Sequence, residues 1–147
     1  MFQILKRNWF PILLSTVLGS TFSIIILYIL GKVFALPDDI FYATLLKSVT
    51  TAIALDIGSK FGWEGALITM MTVTTGITGA VIAPLVTKFI KSPVAKGLAI
   101  GTSSHAVGTS KAIEMGEIEG AMSGLALSLA AISTSFIIPL LLTTILS

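Results

Sequence analysis

Two short polar clusters interrupt an otherwise apolar chain, and their residue types suit the binding of a small ligand. Hydroxyl groups donate and accept hydrogen bonds, and glycine lets the backbone approach a bound molecule closely. The alternative for each hydroxyl is that it caps a half-helix or bonds to a neighbouring helix, as is common in membranes. Taken together, the clusters predict a binding site formed by Thr50 and Thr51 in the first, and by Gly101, Ser103, Ser104, His105, Gly108 and Thr109 in the second.

Two ionisable side chains accompany these clusters. His105 is the only histidine, and the ordinary pKa of a histidine allows proton coupling near neutral pH; a neutral hydrogen-bonding role is the alternative. Lys47 is predicted either to pair with a ligand carboxylate or to extend its ammonium toward the membrane surface. The other charged residues in these segments are expected at the aqueous boundary: Asp56, Lys60, Lys111 and Glu114.

The composition argues against several classes of function. The chain has no cysteine and a single histidine, so thiolate chemistry is excluded and a metal centre is not expected. A formal net charge of +2 is too small and dispersed to indicate nucleic-acid binding. No nucleophile with a matching base and no cofactor motif can be assembled, so we expect neither an enzyme nor a bound cofactor.

The hydropathy of the chain predicts an all-α integral membrane protein. Its mean hydropathy is +1.01 and 11% of its 147 residues are charged, against about a quarter in soluble proteins. A spanning helix needs roughly 20 apolar residues. Three stretches meet this requirement, at about 8–31, 65–87 and 120–146, within a single membrane domain covering residues 1–147.

Residues 39–61 and 92–115 are apolar at both ends and polar in the middle. Irregular backbone persists at membrane depth only where protein or a water-filled cavity satisfies it, so we predict two re-entrant or broken helical segments. Basic residues near residues 6–7 and 88–96 favour a cytoplasmic N-terminus. This orientation favours re-entrant hairpins over complete crossings, because a crossing would place the second basic group outside.

The second part of the chain repeats itself. The sequence EGA at 64–66 opens one span and recurs at 119–121, and a proline follows each at the same separation, Pro84 and Pro139. The polar segments upstream align with an offset shifted by one residue. Interrupted segments at matching positions of two repeats indicate a transporter's substrate site. Re-entrant segments would give the two units opposite topology, and crossing segments would make them parallel.

Residues 47–54 (KSVTTAIA), 96–109 (KGLAIGTSSHAVGT) and 119–123 (EGAMS) resemble signatures of the LrgB/CidB membrane protein family. The resemblance covers essentially the whole chain but only the C-terminal two-thirds or so of a typical member. We therefore expect a chain that lacks the first spans of the family, as a truncated or split protein would.

The resemblance implies two functions. Some relatives are described as carriers of small carboxylates such as glycolate, glycerate or pyruvate, and a small organic acid is then the ligand. Others are antiholin-like or holin-like proteins that act with a small LrgA/CidA-type partner on murein hydrolases and autolysis. Either function implies a multi-pass protein of the cell's inner (plasma) membrane, in contact with the lipid bilayer. Stripes of small residues further suggest packing within the chain or a homo-oligomer.

Overall fold

The computed structural model describes residues 2–47 and 49–146, so Ser48 of the first signature lies outside the described residues. The described residues form helices and no strand, which confirms the predicted all-α class. The helices are α1 (Phe2–Val33), α2 (Asp38–Leu46), α3 (Thr51–Lys60), α4 (Gly65–Thr87), α5 (Pro93–Met115) and α6 (Glu117–Leu146).

Three of these helices are long and apolar enough to cross a membrane, at Asn8–Val33, Gly65–Thr87 and Glu117–Thr144. Each presents large apolar side chains on its outer face, for example Phe22, Val81 and Phe136. Such faces are stable in hydrocarbon and would be costly in water. The three predicted spanning helices are therefore confirmed.

The first polar segment folds into a helical hairpin, here called hairpin 1 (residues 38–60), whose arms are α2 and α3. The ring of Tyr42 stacks on that of Trp63 with centroids 4.3 Å apart, although a continuous helix of that length would separate them by about 30 Å. Leu46 also lies within reach of Gly58. The chain therefore reverses direction between the end of α2 and the start of α3, before which Thr50 is extended.

The second polar segment forms another hairpin, called hairpin 2 (residues 93–115), within α5. Its helical backbone is broken at His105, with φ 52° and ψ −148°. Gly97 lies before the break and Ile113 after it, yet both contact the first turns of α6 around Glu119 and Gly120. The two arms, residues 93–104 and 106–115, therefore lie side by side. The prediction of two broken helical segments is confirmed.

The two hairpins approach each other from opposite ends of α4. Hairpin 1 begins and ends near the start of α4, whereas hairpin 2 begins and ends near its C-terminal end. Their tips meet halfway, since Thr72 of α4 contacts Thr51 and Gly76 lies against Ser104 and Val107. Each hairpin is followed by a spanning helix, so the units have opposite direction, as the re-entrant alternative requires. The depth of the tips in a bilayer stays a prediction.

The hairpins are held by two different kinds of packing. Hairpin 1 uses large apolar side chains, and its buried core joins it to α1 and the end of α6 through Ile24, Leu46 and Leu142. Hairpin 2 instead approaches α6 backbone to backbone at Gly97 and Gly101. Small residues allow such approaches between helices in membranes.

A substitution at Gly101 tests this close approach. A Cβ there would lie 2.8 Å from the Ser123 Cα, so Gly101→Ala forces hairpin 2 away from α6. We expect a loss of about 1–3 kcal/mol in the free energy of unfolding, as for overpacked cores. Thermal unfolding in detergent measures it. The control is Gly124→Ala, because a Cβ at Gly124 meets nothing within 4 Å. Equal melting temperatures for the two variants would contradict the packing described.

Candidate functional site

The tips of the two hairpins are joined by one hydrogen bond between His105 Nε2 and the Lys47 carbonyl oxygen, at 2.5 Å. A carbonyl only accepts, so Nε2 carries the proton and donates. Lys47 is the C-cap of α2, and the last carbonyls of a helix lack partners within it. His105 supplies such a partner from the opposite hairpin, and its imidazole is itself buried.

Thr51 fastens hairpin 1 to α4. Its hydroxyl lies 3.0 Å from that of Thr72, which in turn donates to the carbonyl of Thr69. Because a hydroxyl has one hydrogen, Thr51 is the donor in the Thr51–Thr72 bond. This is the cross-helix alternative considered for the hydroxyl residues. Thr50 is the N-cap of α3, but its side chain does not cap the helix.

Thr109 fastens hairpin 2 in a similar way. Its hydroxyl donates to the carbonyl of His105 at 2.9 Å and therefore accepts from Ser123 of α6, also at 2.9 Å. Ser123 is fully buried. Gly101 and Gly108 likewise serve packing, against the Ser123 backbone and the Ser104 side chain respectively. These contacts assign Thr109 and the two glycines structural positions beside the tip.

Ser103 and Ser104 form a pair at the end of the first arm of hairpin 2. Ser103 donates to the carbonyl of Ala99 at 2.8 Å, so Ser104 is the donor in the 3.0 Å bond between the two hydroxyls. Each of the two hydroxyl oxygens can still accept a further hydrogen bond. The pair faces a groove between α4 and hairpin 2.

This tip groove has a volume of about 480 Å³ and contains three of the predicted residues, Lys47, Ser103 and Ser104. Lys47 is the one ionisable side chain among the described residues that line it. The rest of the lining combines threonines with apolar side chains, from α4 and the first arm of hairpin 2: Met71, Thr74, Thr75, Thr78, Gly79, Ile82, Ala83, Val86, Thr87, Ala99 and Ile100.

The electrostatics of the tips favour an anion. The second arm of each hairpin begins at its tip, at Thr51 and just after His105. A helix N-terminus carries unpaired N–H groups and a partial positive charge. Two such ends and the Lys47 ammonium therefore lie near one another. The C-terminal ends of the two first arms lie at the same tips and carry the opposite partial charge, so the Lys47 ammonium is the group that favours a small anion here.

The threonines of α4 are the part of the groove that the sequence interpretation did not identify. Thr74, Thr75 and Thr78 line it, and Thr75 also donates to the carbonyl of Met71. A signal was present, because threonines cluster in the middle of an apolar span at residues 69–78. From the sequence alone, this stretch is only one of the stripes of small residues that suggest packing.

Comparisons with known proteins agree on one family. The LrgB-like family pattern matches residues 1–144. Antiholin-like protein LrgB of Bacillus mycoides (strain KBAB4) is 36% identical over 138 residues, which are 92% of this chain and 60% of that protein. Antiholin-like LrgB proteins of Bacillus cereus (strain B4264) and Bacillus anthracis (strain CDC 684 / NRRL 3495) match with the same identity and coverage. The chain thus spans about 60% of the length of these relatives. No solved structure matches.

Thr109 provides a test of the structural role assigned to the hydroxyls behind the tip. Thr109→Val leaves the buried Ser123 hydroxyl without its partner, and we expect a loss of about 1 kcal/mol in the free energy of unfolding. Thr109→Ser keeps the hydroxyl and should retain most of the wild-type stability. Thermal unfolding in detergent compares these variants with Ser128→Ala, whose exposed hydroxyl bonds only to Gly124 of its own helix. A Thr109→Val protein as stable as Ser128→Ala would argue against this role.

Proposed function

The chain belongs to the LrgB-like family, and we propose that it carries small carboxylates of the glycolate, glycerate or pyruvate type across a membrane through the tip groove. One observation carries the proposal. The Lys47 ammonium and the paired serines of the groove lie where two oppositely directed hairpins meet. Transporters place their sites near the bilayer midplane at such repeat interfaces.

The groove matches the chemistry of a hydroxycarboxylate. A carboxylate pairs with the Lys47 ammonium, and charge-assisted hydrogen bonds of this kind are the strong ones. The hydroxyls of Ser103 and Ser104 can accept from a ligand hydroxyl, while Thr74 and Thr78 lie on the opposite wall. The ligand anion also neutralises the lysine, which lowers the cost of holding a charge in a partly buried site.

His105 is a positioning residue in this proposal. Its hydrogen bond to the Lys47 carbonyl oxygen fixes the C-terminal end of α2 and therefore the backbone position from which the Lys47 side chain extends. Thr51 fixes the start of α3 through its hydrogen bond to Thr72. Both residues act on the site through the position of Lys47, without lining the groove themselves.

An antiholin-like regulatory function is the second candidate, and the names of the relatives favour it. In that case a small LrgA/CidA-type membrane protein would be the partner, and the effect on murein hydrolases would come from assembly. The exposed apolar faces of the spans are compatible with such a partner or with a second copy. For either function we infer an inner (plasma) membrane protein whose basic end, with Lys6, Lys88 and Lys91, is cytoplasmic.

Uptake of labelled glycolate, glycerate and pyruvate into vesicles tests the carrier proposal. Lys47→Ala removes the charge partner, and we expect about 10- to 100-fold weaker apparent affinity, since a charge-assisted hydrogen bond contributes about 1.5–3 kcal/mol. Lys47→Arg should retain part of the activity. Lys91→Ala is the control, because Lys91 is exposed and outside the groove. Thr51→Ala and His105→Ala should reduce uptake through misplacement of Lys47.

Two results would contradict the carrier proposal. One is unchanged uptake in Lys47→Ala at substrate concentrations below saturation. The other is no uptake by the wild type, in vesicles where a full-length relative transports. If complex formation with the small partner and effects on lysis then persist in Thr51→Ala and His105→Ala, the regulatory function is favoured.

A further inference from the structure

The second arm of each hairpin carries an exposed ion pair. In hairpin 1, Lys60 and Asp56 are 2.7 Å apart, with side chains 68% and 65% exposed. In hairpin 2, Lys111 and Glu114 are also 2.7 Å apart, with side chains 37% and 67% exposed. The pairs occupy corresponding positions of the two repeats, so both second arms present charge on their outer side.

These charges lie close to the hairpin tips. Asp56 follows Thr51 by five residues and Lys111 follows His105 by six, which places them about 8–9 Å along the helices from the tips. The tips contact Thr72 and Gly76, in the central part of the spanning helix α4. Half the thickness of a hydrocarbon core is about 15 Å. With the tips at the predicted midplane depth, both ion pairs begin within the hydrocarbon thickness and extend from there toward the aqueous boundary.

Lipid is an unfavourable environment for these side chains. Charged side chains within a membrane cost at least about 2.5–3.5 kcal/mol each and normally face protein or a water-filled cavity. Beside hairpin 1 such space exists. A cavity of about 570 Å³ lies between α3 and α6 and is lined by Asp56 and Lys60 together with Ser135 and Pro139. The rest of its lining is apolar, and Asp56, Lys60 and Ser135 are the groups that can hydrogen-bond water there.

On each second arm the exposed surface continues from the ion pair to the tip. Residues spaced by four share one face of a helix. In hairpin 1 this face is Ala52, Asp56 and Lys60, and in hairpin 2 it is Ala106, Ser110 and Glu114; all six are exposed. In both stripes the residue nearest the tip is an alanine, and the charged residues lie farther along the arm. An exposed stripe of this composition leaves room beside the tip and attracts water.

We propose that these two stripes line aqueous vestibules that open on opposite faces of the membrane and reach the tips from either side. The proposal extends the proposed carrier function, because the vestibules would be the two access routes to the tip groove. It rests on the opposed hairpins and the exposed charges, and not on the identity of any substrate.

Thiol labelling from each face of the membrane tests the vestibules. The chain has no cysteine, so single-cysteine variants need no background removal. Ala52→Cys and Ser110→Cys place one thiol on each stripe, and Ile77→Cys places a control thiol at similar depth on the exposed apolar face of α4. A charged, membrane-impermeant thiol reagent is applied to right-side-out and inside-out vesicles. Unchanged thermal unfolding of each variant shows that it is folded.

We expect Ala52→Cys to react from one face only, Ser110→Cys from the opposite face only, and both at least 10-fold faster than Ile77→Cys. Reaction of both thiols from the same face would overturn the opposed arrangement. Reaction as slow as that of Ile77→Cys would overturn water access and indicate that another polypeptide or lipid covers the stripes. Labelling requires no substrate, so labelling without uptake would refute the carrier function alone, and uptake without labelling would refute the vestibules alone.

Discussion

The structure depends on the need to satisfy backbone polar groups where two helices are interrupted inside an apolar environment. A membrane-spanning helix pairs its own backbone, but a hairpin tip leaves carbonyl and N–H groups without partners. Here the tips partly satisfy each other, since the His105 imidazole donates to the Lys47 carbonyl. Thr51 and Thr109 add bonds to the spanning helices on either side. The meeting of the tips is thus a condition for both hairpins to be stable, and it also brings Lys47 to the groove.

In the same arrangement, the hydroxyls that hold the hairpins in place differ from those that face the groove. The hydroxyls of Thr51, Thr109 and Ser123 are engaged in bonds between elements. The Ser103–Ser104 pair is bonded within its own arm and retains acceptor capacity toward the groove. Each polar cluster of the sequence therefore contains residues of both kinds. Part of each cluster builds the tip, and the remainder faces the space beside it.

The sequence predicted the fold to the extent that hydropathy and composition determine it. Spans are set by the length of apolar runs, and the interruptions were visible because hydroxyl and charged residues stood within such runs. The repeat left opposed and parallel units open, and the positions of the basic residues favoured the opposed arrangement. The sequence did not show that the break in hairpin 2 falls on the single residue His105, because no proline marks it and positive φ is uncommon for any residue other than glycine. It also did not separate Thr109, which packs, from Ser103, which lines the groove, since that depends on which face meets α6. The contribution of Thr74 and Thr78 required the position of α4 relative to hairpin 2.

The order of charges along the two second arms differs. In hairpin 1 the carboxylate of Asp56 is nearer the tip and the ammonium of Lys60 farther away, whereas in hairpin 2 Lys111 is nearer and Glu114 farther. Each pair is neutral overall, but the two dipoles point in opposite senses as seen from the tips. With water on both stripes, an anion would meet a repulsive group last on one side and an attractive group last on the other. For the proposed carrier, this order of charges would leave the equilibrium distribution of the anion unchanged and make its rates of entry and exit unequal under equal gradients.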